Sequence, residues 1–106
     1  MTQSVLRDAT ETMLQESIPG NADLDTKVRR LLETEYLHRI ASYRRTDAAL
    51  RRKYGMTFDQ FIANRVTQRM DYSWEVETDA MEWEIAIDGF ETTGRRLTEL
   101  RATFNA

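Results

Sequence analysis

The chain has 106 residues, no cysteine, one proline, four glycines and a net charge of −3. This length is typical of one domain, and the scarcity of helix-breaking residues favours long helices over many short strands. The absence of cysteine excludes disulfides, thiolate metal sites and thiol catalysis. No apolar run is long enough to cross a membrane and no secretory signal is visible, so we expect a cytoplasmic protein.

The first two predicted elements are a short helix and a long one. The short helix covers residues 2–17, and the proline-glycine pair that follows ends it. Apolar residues then recur at spacings of three and four as far as Tyr54, which predicts a long second helix. We expect Asp25 or Thr26 to cap this helix and Gly55 to follow its last turn.

A capping box predicts the next helix, because Gln60 follows Thr57 by three residues. This short helix is expected to carry the apolar residues Phe58, Phe61, Ile62 and Val66.

The last predicted helix is capped by Asp71 or Ser73 and runs to the end of the chain. A heptad-like series of positions forms a packing seam along it: Val76, Ala80, Trp83, Ile87, Phe90, Gly94, Leu97 and Phe104. Gly94 either lets another backbone approach closely or, together with the two threonines before it, interrupts the helix. We favour a helix that continues through both Gly89 and Gly94.

These elements predict an all-α protein in which two long helices and short helices form a bundle. We assign residues 1–106 to one helical domain, with a short N-terminal helix or extension at 1–20 and the main helical unit at 25–106. Each long helix would span roughly 45 Å and protrude from a compact globule of this size. Two such helices make a thin core alone, so we expect a homodimer or higher oligomer to complete the bundle.

Charge is divided unevenly along the chain. Residues 26–70 hold eleven bases and four acids, whereas residues 71–94 hold eight acids and no base. Adjacent segments of opposite sign indicate surfaces for charged partners or for each other.

A metal site is one alternative interpretation of the acidic residues. Glu35 and His38 form an ExxH pattern of the kind found in di-iron helical bundles, and Glu75 or Glu82 would complete the ligands in a symmetric dimer. Such bundles normally supply two ExxH motifs, and this chain has one. A solvated or salt-bridged helix face is the simpler interpretation, so we expect no cofactor.

Nucleic-acid binding is the second alternative, through Arg44, Arg45, Arg51 and Arg52 near the end of the second helix. Such binding would be steeply dependent on salt. The negative net charge and the lack of a known nucleic-acid-binding pattern argue against it. The sequence also lacks a phosphate loop, a Ser/His/Asp set and a nucleophile elbow, so we do not expect an enzyme.

Two strings of residues, KYGMTFDQF at 53–61 and YSWEVETDAMEWE at 72–84, carry a resemblance to a known group. The chain resembles small uncharacterised helical proteins of bacteria and archaea that are the antitoxin-like members of toxin–antitoxin gene pairs. The resemblance covers about residues 26–100 and leaves residues 1–25 as an individual extension. It implies a role in binding a toxin-like protein partner and supplies no catalytic residues.

Acidic and aromatic residues are therefore the predicted partner-binding site. Exposed aromatic side chains beside charges are typical anchors of protein interfaces. The predicted residues are Trp74, Glu75, Glu77, Asp79 and Glu82, with help from Phe58 and Phe61. An acidic surface of this kind would steer a basic protein partner by complementary potential.

Overall fold

The computed structural model describes residues 6–104, and all regular structure within them is helical. The helices, in chain order, are α1 (Asp8–Ser17), α2 (Leu24–Tyr54), α3 (Phe58–Ala63), α4 (Val66–Arg69) and α5 (Trp74–Phe104). The predicted all-α class and the two long helices are confirmed. Residues 2–5 of the predicted first helix lie outside the described residues.

The two ends of α2 are set by an aspartate and a glycine. The Asp23 carboxylate accepts a hydrogen bond of 2.9 Å from the Thr26 backbone N–H, so Asp23 caps the helix. The prediction of Asp25 or Thr26 as the cap was wrong, because both lie inside the first turn and Asp25 pairs with Arg29. Gly55 follows the last turn with a φ of 66°, as predicted for a C′ glycine.

The capping box of α3 forms as predicted. The Thr57 side chain accepts from the Gln60 N–H at 3.2 Å, and the Gln60 side chain accepts from the Thr57 N–H at 2.9 Å. Val66 does not belong to this helix, contrary to the prediction. Arg65 adopts a left-handed conformation with φ 51° and ψ 44°, so the helical hydrogen bonding stops before it and Val66 begins α4.

Helix α5 begins after a left-handed connection and then runs without interruption. Asp71 and Tyr72 both have a φ of 54°, and the Ser73 hydroxyl accepts from the Val76 N–H at 3.3 Å. Ser73 is therefore the cap, one of the two residues predicted. The helix continues through Gly89 and Gly94 to Phe104, as the favoured prediction held.

The chain divides into two compact units, residues 1–34 and residues 35–106, with the boundary inside α2. In the described part of the first unit, Leu14 is the buried apolar side chain. Lys27 is also buried there, and its ammonium group donates a hydrogen bond to the Gln15 side chain.

The second unit contains an aromatic core between the end of α2, α3 and the start of α5. Trp83 is fully buried, and its ring centroid lies 5.2 Å from Phe61, 5.4 Å from Phe58 and 6.0 Å from Tyr54. Its indole N–H donates to the Asp47 carboxylate at 2.8 Å, so the buried polar group is satisfied. The core is completed by Leu50 and Val76.

The buried stripe of α5 follows the predicted seam only in part. Val76, Trp83 and Leu97 are buried, but Phe90 is 38% exposed. Ala86 and Thr93 are buried instead of the seam positions next to them. Ala86 and Thr93 each precede a seam position by one residue, which is about 100° around a helix, so the buried face is rotated to one side of the predicted seam along this part of α5.

A close approach between α2 and α5 occurs at Gly89. A Cβ at this position would overlap the Tyr43 ring, lying 2.7 Å and 2.8 Å from its two Cε atoms. Gly94, for which a close approach was one of the two alternatives, has nothing within 4 Å of its Cβ position. Gly89 is therefore the glycine that the helix packing requires.

Alanine substitutions at the two glycines should have different effects. Gly94→Ala gains about 1 kcal/mol of helix propensity without a steric cost. Gly89→Ala gains the same amount, but it must displace the Tyr43 ring at an overpacking cost of about 1–3 kcal/mol. We expect urea denaturation to show Gly89→Ala less stable than Gly94→Ala by that cost. Equal stabilities would contradict the close packing of Tyr43, and the difference should vanish in a Tyr43→Ala background.

Candidate protein-binding surface

The structure separates the predicted partner-binding residues into three groups. Phe61 is only 1% exposed, and Phe58 is half-buried beside it, so both contribute to the aromatic core. Glu75 and Asp79 form hydrogen bonds within the chain. The third group, Trp74, Glu77 and Glu82, is exposed on α5.

Lys53 joins the end of α2 to the start of α5. Its ammonium group lies 2.6 Å from Glu75 Oε1 and 2.6 Å from Asp79 Oδ2. The Tyr54 hydroxyl donates to the same Asp79 oxygen at 2.5 Å. These contacts give Glu75 and Asp79 a structural role that residue spacing alone did not indicate.

The protonation of this cluster reflects its contacts. Burial acts to raise the pKa of the Asp79 carboxyl, but the hydrogen bonds from Lys53 and Tyr54 outweigh it and hold that pKa below its usual value. Burial, reinforced by the hydrogen bond to Asp79, raises the pKa of the Tyr54 hydroxyl to about 12. Hydrogen bonds to Asp79 and Glu75 raise the pKa of Lys53. At neutral pH, therefore, Lys53 is charged, the Asp79 carboxyl is ionised and Tyr54 is neutral.

Three large apolar side chains, Trp74, Met81 and Ile85, lie on the face of α5 that is opposite the core. We call these three residues the outer strip. They are 81%, 64% and 62% exposed, respectively. Their spacing of seven and then four residues places them on one helix face over about 16 Å. Trp83 follows Trp74 by nine residues and therefore points to the other side of the helix. An aligned set of exposed apolar residues is typical of an interaction surface.

A groove between α3 and α5 adjoins the outer strip. It has a volume of about 540 Å³ and is lined by Phe58, Asp59, Ile62, Ala63, Ala80, Met81 and Glu84. Ile62 is 56% exposed in it, and Met81 belongs to both the groove and the outer strip. The sequence-based prediction did not include Ile62, Met81 or Ile85, although the spacing of Met81 and Ile85 from Trp74 was a visible signal.

The exposed carboxylates beside the strip are free of ion pairs within the described part of the chain. They are Glu77, Glu82, Glu84 and Asp88. Glu75 and Asp79, by contrast, both form ion pairs with Lys53. The solvent-facing side of α5 is therefore an apolar strip between uncompensated negative charges.

The four arginines of the nucleic-acid alternative do not form one uniform surface. The Arg44 guanidinium lies 5.2 Å from the centroid of the Phe90 ring, and Arg51 Nε lies 3.5 Å from the Asp47 carboxylate. Arg45 and Arg52 are exposed. Two of the four are thus engaged within the chain, which leaves a smaller basic surface than the sequence indicates.

The residues of the metal alternative are not brought together within one chain. Glu35 pairs with Arg39 at 2.8 Å, and Glu75 binds Lys53, which follows His38 by fifteen residues, or about 22 Å along α2. Glu82 is exposed on α5. Among residues 6–104, no three carboxylate or histidine side chains converge as a metal ion requires.

Comparisons with protein-family models, curated proteins and solved structures found no match to this chain. Between residues 6 and 104, no helix combines the length and apolar character needed to cross a membrane. The geometry of the described residues is therefore the basis for a functional proposal.

Proposed function

We propose that this chain is a non-enzymatic, antitoxin-like interaction protein of the cytoplasm that sequesters a protein partner through the outer strip of α5. The observation that carries the proposal is the exposure of Trp74, Met81 and Ile85 in one line. Single exposed apolar residues are common on protein surfaces, but an aligned set beside an apolar groove is not. The resemblance of residues 53–61 and 72–84 to antitoxin-like proteins implies the same role.

Trp74 is the proposed anchor of the interface. Tryptophan is enriched among the few residues that dominate binding energy, and these residues lie near the centre of an interface with less critical contacts around them. Covering the 81% exposed Trp74 would remove more apolar surface from water than covering any smaller side chain of the strip. Met81 supplies an adaptable contact surface, because its side chain is unbranched and polarisable.

The homodimer or higher oligomer expected from the sequence stays a prediction. Exposed apolar residues on the first turns of α2 support it, since Val28, Leu31 and Leu32 are 37%, 47% and 39% exposed. These residues share one face by their spacing of three and four. They lie on a different helix from the outer strip.

Co-purification with the product of the adjacent gene tests the proposed function. We expect the double variant Met81→Ser/Ile85→Ser to lose most of the co-purified protein, because the minority of contacts whose truncation costs more than about 1 kcal/mol cluster at the centre of an interface. The matched control is Met13→Ser/Leu37→Ser, which removes residues that are 65% and 45% exposed elsewhere. The control should retain the partner. Equal retention by both variants would contradict binding at the outer strip.

A further inference from the structure

The groove between α3 and α5 has the shape of a site for an amphipathic helix. Its lining includes the apolar side chains of Phe58 and Ile62 from α3 and of Ala80 from α5. Met81 continues this surface onto the outer strip, which extends over about three turns of α5. Helix-in-groove recognition uses apolar anchors at positions i, i+3, i+4 and i+7 on one face of the bound helix.

A row of carboxylates runs parallel to the outer strip. Glu77, Glu84 and Asp88 each follow one strip residue by three positions, so the row has the same spacing of seven and four. Glu84 lines the groove on the α5 side, and Asp59 lines it on the α3 side. Negative charges therefore flank the apolar surface on both helices. Because like charges on one helix face repel each other, a positively charged group bound beside them would relieve this repulsion.

This charge pattern argues against a second copy of the chain as the occupant. A two-fold symmetric interface places the same patch on both subunits, so it would bring the carboxylates of one copy close to those of the other. Like-charge juxtaposition of this kind disfavours association. A partner with positive charges on the flanks of an apolar face would instead pair with the row.

We propose that the groove and the outer strip bind a cationic amphipathic helix of the partner protein, with its apolar face on Ile62, Met81 and Ile85 and its bases against Asp59 and the carboxylate row. This inference rests on the proposed function and names the chemistry of the contacting segment. Binding of this kind weakens as ionic strength rises, because the flanking charges remain close to solvent.

Three synthetic peptides of about 18 residues, or five helical turns, test the proposal directly. The first has leucines on one helix face and lysines on its flanks, the second replaces the lysines with glutamates, and the third replaces the leucines with serines. We expect only the first to bind in a calorimetric titration and to shift the tryptophan fluorescence to shorter wavelength, since Trp74 is 81% exposed in the free protein. Binding of the glutamate peptide with equal affinity would overturn the proposal.

Charge-reversal variants assign the binding to the groove. Glu84→Lys/Asp88→Lys should weaken the lysine peptide at least about tenfold. Glu16→Lys/Glu99→Lys makes the same change in net charge at exposed residues that do not line the groove, and it should change the affinity by less than about twofold. Equal weakening by both variants would indicate nonspecific attraction and contradict the assignment.

The remaining outcomes separate this inference from the proposed function. If the adjacent gene's product binds through Met81 and Ile85 but the lysine peptide does not bind, the partner segment is not a cationic helix and only the inference fails. If light scattering shows self-association that Met81→Ser abolishes, a second copy occupies the groove and the inference is overturned. If neither the gene product nor the peptide depends on these residues, both proposals fail.

Discussion

Replacing Trp83 with alanine is expected to lower the free energy of unfolding by about 3–5 kcal/mol, the range for deleting a buried aromatic side chain. The side chain has no exposed surface and contacts three other aromatic rings, so its removal leaves a cavity that the short helix α3 cannot readily fill. Small domains are stable by about 5–15 kcal/mol in total, so this is a large fraction of the stability. Urea denaturation followed by far-ultraviolet circular dichroism measures the change.

Two further tryptophan variants serve as controls. Trp74→Ala should change stability by less than about 0.5 kcal/mol, because an exposed side chain makes few contacts. The free energy of unfolding of Trp83→Phe should lie between those of Trp83→Ala and Trp74→Ala. This variant keeps an aromatic ring in the core but loses the hydrogen bond to Asp47. A stability of Trp83→Ala equal to that of Trp74→Ala would contradict the aromatic core.

The Trp74→Ala substitution, which should hardly change stability, is expected to weaken partner binding strongly. Truncating an interface tryptophan that acts as an anchor costs at least about 2 kcal/mol, which corresponds to about a 30-fold weaker affinity. Calorimetric titration of the adjacent gene's product into native and variant protein measures this loss. Because Trp74 is outside the core, the variant should keep its helical content and unfolding midpoint.

A matched substitution makes the binding result specific. Tyr72→Ala removes another aromatic residue that is 56% exposed and precedes α5, so it is not in line with the outer strip. We expect it to weaken binding far less than Trp74→Ala. The interface would have to be placed elsewhere if Trp74→Ala bound the partner as tightly as the native protein.

The helices were predictable because their signals are local. Thr57 and Gln60 form their capping box within four consecutive residues, and Gly55 needs only its own positive φ to end α2. The start of α2 was predicted two or three residues late because Asp23, Asp25 and Thr26 are all acceptable caps. Only the backbone conformation distinguishes them.

The functional roles of individual residues depended on contacts distant in sequence. Lys53 pairs with Glu75 and Asp79, which follow it by 22 and 26 residues, and no helix spacing predicts such a pair. Phe61 was assigned to the partner site, but α3 has six residues and its sequence does not show which of its faces is buried. The structure places Phe61 in the core and leaves its neighbour Ile62 exposed.

The sequence-based prediction identified only one residue of the outer strip. The prediction recognised Trp74 and the acidic residues around it, but it treated the heptad series as the single apolar face of α5. Met81 and Ile85 lie off that series and form a second face with Trp74. When a helix has two apolar faces and one of them forms the core, the other remains exposed. The second face becomes visible in the sequence when the spacing of Trp74, Met81 and Ile85 is counted separately from the heptad series.

Acrylamide quenching of tryptophan fluorescence tests the central claim that a partner covers the outer strip. The chain has two tryptophans, of which Trp83 is fully buried and Trp74 is 81% exposed, so quenching in the free protein reports mainly on Trp74. A partner that lacks tryptophan, or one in which tryptophan has been replaced, keeps the signal specific. We expect quenching to fall sharply when the complex forms. A stable complex with unchanged quenching would show that Trp74 remains in solvent and would contradict the proposed interface.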